Sequence, residues 1–503
     1  MVFSSIPFLC VFLPAVLFLC CLMPSIRWKN GLLIVASLLF YAYGEPVYVV
    51  LMIISTLANY GFGMLLGRGA KEFRAAEASL RESAADLTPR EFAQRRKDLV
   101  ASDPKASQRK ALVVAALIVN LGLLGVFKYA DMAVGTVNAL LATTFAGPNL
   151  ALPIGISFYT FQALSYVIDV YRRDVDAQRN YARVLLYISF FPQLIAGPIV
   201  KYHDIAEALA NRRMTVGGVA SGLRRFSIGL AKKVLIANTM AVAVDAWYAA
   251  DPSQLNMATA WLMALAYCLQ IYYDFSGYSD MAIGLGRMFG FEFKENFNRP
   301  YLSVSIKDFW RRWHISLSTW FKEYLYIPLG GNRKGEFRAA MNRICVFFLC
   351  GLWHGASWTF VLWGLYHGAF LMLEQYIKPL QRLPRWLGHV YAIVVVTVGF
   401  VLFRADTLGQ AGAIIALMFT GSDVTAASLS ILFEQLTPLF IAMFALGVVA
   451  VAPWPDMARR FVDSHGIQAQ ARVASYAGAL VLLVLALLEL SAGGYNPFIY
   501  FRF

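Results

Sequence analysis

One of the six histidines stands where an ionisable side chain is costly, and it carries the first chemical expectation. His354 lies in Phe347-Phe348-Leu349-Cys350-Gly351-Leu352-Trp353-His354-Gly355-Ala356-Ser357-Trp358, a run without formal charge. A helix leaving an aqueous face at Arg343 and rising about 1.5 Å per residue would bring His354 roughly 16 Å in. That is near the middle of a hydrocarbon core about 30 Å thick. An ionisable group at such a depth is a functional candidate by default. A neutral imidazole there can take a proton from a hydroxyl as a general base. The competing reading is a histidine hydrogen-bonded across a helix interface. Gly351 and Gly355 leave room beside it for a ligand or for close helix packing. On the same uninterrupted helix His367 would reach roughly 36 Å, near the far interface. His314 sits in Asp308-Phe309-Trp310-Arg311-Arg312-Trp313-His314-Ile315-Ser316-Leu317-Ser318-Thr319-Trp320, where taken alone it is an interfacial residue. His203, His389 and His465, beside polar residues at segment ends, are expected to have no role.

The elements that must position these residues are apolar helices. Candidate spans are 3–24, 30–44, 46–66, 111–127, 132–148, 151–170, 182–200, 222–249, 258–289 (broken near Gly277), 341–376, 388–404, 409–420, 428–452 and 472–491, about eleven to thirteen crossings with re-entrant pieces. Within 258–289, Asp274, Ser276, Tyr278 and Asp280 form a polar patch that either lines a tunnel or marks a turn. Residues 67–110 hold eleven Lys and Arg against seven acids. They read as a cytoplasmic helical insert, with a capping-box pattern at Thr88-Pro89-Arg90-Glu91. A second belt, 291–343, carries ten basic residues against five acidic ones, interleaved with Phe309, Trp310, Trp313, Trp320, Phe321, Tyr324 and Tyr326. Such a mixture suits a stretch at the headgroup level facing the cytosol. Residues 404–503 add C-terminal helices to what reads as one membrane domain over 1–503.

Composition supports this frame. Of 503 residues 59% are hydrophobic and 15% charged, against about 25% charged in soluble proteins. The net charge of +14 marks cytoplasmic loops of a polytopic membrane protein rather than a nucleic-acid surface, so no nucleic-acid partner is expected. The six cysteines lie in apolar stretches without metal-ligand spacing and read as buried small hydrophobes, leaving no metal site.

Several longer motifs go further. Asn298-Arg299-Pro300-Tyr301, the Phe309–Ser318 run, Tyr326-Ile327-Pro328-Leu329-Gly330-Gly331-Asn332 and Gly351–Trp358 together resemble the membrane-bound O-acyltransferase family. Pro153–Gln162, Phe191–Ile199, Tyr273–Asp280 and the ending 496–503 match as well. Within the family the chain is most similar to the branch of membrane subunits that serve bacterial alginate O-acetylation. The resemblance covers most of 1–403 and the last ten residues, with 67–110 longer than usual and 404–490 matching loosely.

The resemblance implies an all-α ring of tilted helices around a central funnel, and it matches His354 to the family's essential histidine and His314 to its second active-site position. It implies acyl transfer, with acetyl favoured, from a cytosolic thioester to a hydroxyl presented from the outer side of a bacterial inner membrane. His354 would act as base, while His314 would position the donor or stabilise charge at the carbonyl. Trp353, Trp358 and Trp313 would wall the passage, with Asp274, Ser276, Tyr278 and Ser318 as further lining candidates. Lys322, Arg333, Lys334 and Arg338 would steer an acidic donor, acetyl-CoA or an acyl-carrier protein, which enters as substrate with no bound cofactor. A periplasmic hydrolase-like acetyltransferase and an exported polysaccharide are the expected partners, and alginate, cellulose, peptidoglycan or a teichoic-acid-like polymer all fit. The rival classes are a transporter, whose usual inverted repeat is not visible, and a non-catalytic scaffold of an export machine.

Overall fold

The computed structural model describes residues 1–83, 87–421, 424–496 and 499. The closing motif 496–503 therefore lies outside the described residues except for Asn496 and Ile499. Among the described residues the chain is helical, without a strand. Five helices are long and apolar enough to cross a membrane, or six if Ala426–Gln435 and Pro438–Ala450, bent by 72°, count as one span. The protein is a multi-pass membrane protein. It divides into two compact units, one of Met1, Val16–Ile195 and Ile199–Arg213, the other of Val2–Ala15, Ala196–Pro198 and Met214–Phe503.

In the first unit a single helix, Ala106–Leu141, replaces the two spans expected over 111–127 and 132–148. Lys128 and Asp131, which fall between those two expected spans, are accommodated without a turn. Lys128 is buried beside the Ser157 hydroxyl at 3.4 Å, and the Asp131 carboxylate accepts the Asn149 N–H at 3.0 Å. This helix is tied to Tyr48–Leu66 by reciprocal amide hydrogen bonds between Asn59 and Asn120, at 3.0 and 2.8 Å. Such bonds join helices where lipid offers no competing partner. The 67–110 insert contains the helices Ala70–Glu82 and Pro89–Ala101. The capping box forms: Thr88 receives the Glu91 N–H while the Glu91 carboxylate accepts the Thr88 N–H and hydroxyl, which hold that carboxyl below its usual range.

The second unit is built on Met257–Met288, which runs unbroken through the break expected near Gly277. Glycine there serves helix approach. A Cβ on Gly277 would lie 2.7 Å from the Gly229 carbonyl oxygen, and one on Gly284 2.6 Å from that of Gly222. The two glycine pairs, seven residues apart on each strand of this antiparallel pairing, let Val216–Ala231 lie directly on Met257–Met288. A wider π-helical turn, Lys232–Ala237, follows. It presents consecutive lysines to two carboxylates of Met257–Met288, Lys233 to Asp274 at 2.8 Å and Lys232 to Asp280 at 2.7 Å.

The expected span 341–376 is instead a hairpin of two helices, Glu336–His354 and Trp358–Tyr376. The chain turns at Gly355 and runs back, so His367 returns towards the level of Phe347 and Trp310 and does not continue to a far interface. Arg343 near the open end bonds Gln375 of the returning helix. The hairpin closes because Gly351 faces the Phe360 carbonyl and Gly364 the Phe347 carbonyl with no space for a Cβ. Of the two uses open to Gly351, the structure selects packing. Gly351→Val is expected to force the helices apart and displace His354, overpacking that costs about 1–3 kcal/mol. A lowered unfolding midpoint with lost activity would show it; an unchanged midpoint would contradict it.

Three of the six cysteines, Cys20, Cys268 and Cys350, are buried as expected, whereas Cys10 and Cys21 are exposed on the outward face of an apolar helix.

Candidate active site

The end of the Glu336–His354 helix meets a pair of short helices, Ile306–Arg312 and Ile315–Phe321, at the two histidines. Their ring centroids are 6.4 Å apart, and both residues are buried, His314 at 1% and His354 at 6% exposure. Trp353 bridges them, 5.0 Å from His354 and 6.0 Å from His314. Trp363 and Phe403 complete the wall around His354, at 5.1 and 5.2 Å. Phe275 packs edge-on against His314 at 4.6 Å.

His314 is held by an unusual backbone. It occupies the left-handed region at φ 43°, between the two short helices. Such a conformation is uncommon outside glycine and persists only where the surroundings enforce it. Asn296 enforces it here. Its backbone oxygen takes the Ile315 N–H at 2.9 Å. Its side-chain oxygen takes the Ser316 N–H at 3.1 Å, the Ser316 hydroxyl at 2.8 Å and Nδ1 of His314 at 3.2 Å, while its amide donates to Ser279 at 3.0 Å.

Because that oxygen already accepts from a backbone N–H, it can only accept from the ring, so Nδ1 carries the proton in the neutral form. Nε2 then offers a lone pair and has no hydrogen-bond partner among the described residues. Of the two roles expected for His314, positioning the acyl donor is compatible with this tautomer; stabilising negative charge at a carbonyl would need a proton on Nε2. Asn296 was not among the expected site residues, and in sequence it is one of three polar residues, Lys294-Glu295-Asn296, between Phe293 and Phe297. Asn296→Ala is expected to lower kcat about tenfold, by releasing the ring, with KM little changed. A KM effect with kcat retained would assign Asn296 to binding instead.

A small apolar cavity of about 10 Å³, space for one water, touches His354, Trp313, Trp363, Phe400 and Phe403. On the other side of the short helices opens a cavity of about 1020 Å³. Ser318 and Lys322 line it with Lys307, Arg312, Arg343 and Arg385, against Asp308 and Glu374. Ser318 is one helical turn from His314, its N–H bonded to the His314 carbonyl at 3.1 Å, so one residue of this cavity's lining adjoins the site.

The other candidates fall elsewhere. Trp358 is 50% exposed and walls no passage, because the hairpin turn places it on the outer side. Arg333, Lys334 and Arg338 are exposed and lie outside the cavity lining. Asp274, Ser276 and Tyr278 are buried within an unbroken helix, Asp274 paired with Lys233 and also accepting the Ile499 N–H at 3.1 Å. The belt's aromatics are not at a headgroup surface: Phe309, Trp310, Trp313, Trp320, Phe321 and Tyr324 are all buried, leaving mainly the charges outside. Alternation of ring and charge here reflects short helices with one face in the protein.

Residues 171–405 match the membrane-bound O-acyltransferase family, and the chain belongs to it. It is an O-acyltransferase of this membrane type. Over its whole length and theirs it is 39% identical to the probable alginate O-acetylase AlgI of Azotobacter vinelandii and 40% identical to that of Pseudomonas putida. It is also 35% identical to the peptidoglycan O-acetyltransferase of Helicobacter pylori, over 79% of this chain and 75% of the relative.

Proposed function

We propose that the protein moves an acetyl group from a cytosolic thioester, acetyl-CoA, across the bacterial inner membrane to a hydroxyl. The hydroxyl belongs to an exported polysaccharide or to a periplasmic acyltransferase that serves it. The observation that carries this reading is the junction of two buried histidines, 6.4 Å apart, with a large basic cavity on one side. The names of the relatives, alginate and peptidoglycan acetylating enzymes, support acetyl as the group and a polysaccharide as the acceptor class.

His354 removes the acceptor's proton as its oxygen attacks the thioester carbonyl. The carbon–sulfur bond breaks, the ester forms, and the proton passes from His354 to the departing thiolate. His314 holds a donor N–H or the acceptor hydroxyl through Nε2. Trp353, Trp313 and Trp363 keep bulk water from the thioester, which hydrolysis would waste. Lys307, Arg312, Lys322, Arg343 and Arg385 attract the phosphates of the donor.

Proteoliposomes given acetyl-CoA on one side and polysaccharide, with its periplasmic partner, on the other are expected to release one free thiol per ester formed. Ester formed without thioester consumption would overturn the reading. In the same assay Lys322→Glu is expected to raise KM for acetyl-CoA about tenfold, about 1.4 kcal/mol, with kcat within about twofold. An unchanged KM would remove Lys322 from the donor site.

A further inference from the structure

The first unit has a cavity of about 1090 Å³ that the acyl-transfer reading does not use. It lies where the apolar helix Tyr48–Leu66 ends and the charged helix Ala70–Glu82 begins, closed on another side by the loop after Ile156–Tyr171. Eight lysines and arginines line it against four carboxylates. Arg96 is held by Glu77 at 2.9 Å and by the Arg173 carbonyl at 2.9 Å. Arg74 pairs with Asp176. Arg68, Lys71, Arg179 and Arg183 have no ion pair among the described residues, an arrangement that leaves a surplus of positive charge directed at whatever occupies the space.

Arg173 shows that the site is built. It is buried, at 9% exposure, and takes the left-handed backbone at φ 61°, a conformation that normally calls for glycine. Its Nη2 donates to the Arg68 carbonyl at 2.9 Å and to Asp103 at 3.2 Å, and its guanidinium stands over the Phe73 ring at 5.6 Å. Nε and Nη1 have no hydrogen-bond partner among the described residues. Buried guanidinium donors left unmatched are costly, and the side chain that carries them forms part of this cavity's wall, where its charge adds to that of its neighbours.

The apolar surface below the cavity indicates which anion. Val50, Ile54, Leu57 and Met64 are exposed on one face of Tyr48–Leu66, at helical spacings of four, three and seven, and Met64 itself lines the cavity. A ligand that fits has a phosphate at the basic end and a hydrocarbon chain along this stripe. We propose that this cavity binds the headgroup of an anionic phospholipid, with Arg68, Arg173, Arg179 and Arg183 on the phosphate and an acyl chain along Met64, Leu57 and Ile54. Basic residues at a membrane surface gain in this way from anionic lipid.

The test uses the full-length protein in detergent, exposed to phosphatidylglycerol and phosphatidylcholine in equal amounts, with bound lipid read by native mass spectrometry. Wild type is expected to retain phosphatidylglycerol at least about fivefold over phosphatidylcholine. The variant Arg68→Gln/Arg179→Gln/Arg183→Gln is expected to lose that preference. These side chains have no protein partner, so its unfolding midpoint in lipid-free detergent should match wild type. Arg173→Lys, which keeps the charge beside Asp103 but removes donors, is expected to fall between the two. Equal retention by wild type and the triple variant would overturn the proposal. So would full displacement of the lipid by millimolar inorganic phosphate, which would leave a free-phosphate site without a chain. Unchanged lipid preference with loss of binding to an acidic carrier protein would overturn it in favour of a protein partner.

Discussion

His354→Gln is expected to slow acyl transfer about a thousandfold while leaving the protein folded and in the membrane. General-base assistance contributes about 10²–10⁴ to rate, and no other described residue stands ready to replace this one. His314, 6.4 Å away, keeps an Nε2 lone pair but is fixed in place by its Asn296 hydrogen bond and by its backbone at both ends, so it cannot swing to the position of His354. Glutamine is the informative replacement because it nearly fills the space between Trp353, Trp363 and Phe403, whereas alanine would add a cavity cost to the chemical one. His354→Ala is expected to show the same loss of rate with a lower unfolding midpoint. Acetylation of the exported polysaccharide and the amount exported should be measured together. Lost acetylation with unchanged export fits the enzyme. Retained acetylation removes His354 as base, and loss of export itself points to a transporter or to a scaffold of the export machine.

The second large effect lies in stability. Lys233→Met is expected to destabilise the protein by about 3–5 kcal/mol, the usual result of leaving one member of a buried ion pair behind. Lys233 and Asp274 stand 2.8 Å apart with side chains 2% and 4% exposed, so Asp274 would be stranded in low dielectric. Asp274 also anchors the Ile499 N–H, and Ile499 lines the small cavity beside His354. Loss of the pair should therefore reduce activity as well as the unfolding midpoint. The double variant Lys233→Met/Asp274→Leu is expected to recover most of the stability, since replacing both charges by packed apolar groups is often neutral or better. A loss in the double variant equal to the sum of the two single-variant losses would show that the two side chains act independently.

Much of the site was legible before any fold. An uncharged run containing one histidine was enough to single out His354, and the resemblance of the aromatic and basic stretch around His314 to the family's motifs added the second. Their meeting was not legible, because forty residues separate them and the chain between includes the short helix Ile315–Phe321, a loop and the helix Glu336–His354. Asn296 shows the same limit: an asparagine between phenylalanines is unremarkable until its oxygen is seen gathering three donors around His314. Arg385 follows a proline at the start of an apolar helix and shows no sign of its place in the basic cavity.

Hydropathy is a one-dimensional quantity, and its errors follow from that. It divided Ala106–Leu141 at Lys128 because it could not see the Ser157 hydroxyl. It joined Glu336–His354 to Trp358–Tyr376 because Gly355, Ala356 and Ser357 are nearly neutral, although they form the turn. It broke Met257–Met288 at Gly277, where glycine makes room for Gly229. By itself, the sequence determined that the chain is a helical membrane protein and that His354 is a candidate for its chemistry, since composition and local patterning settle both, while its longer motifs added His314 by resemblance. Tertiary structure decided which glycines pack and which turn, how His314 is oriented, and which basic residues share a cavity, because each depends on atoms brought together from distant parts of the chain.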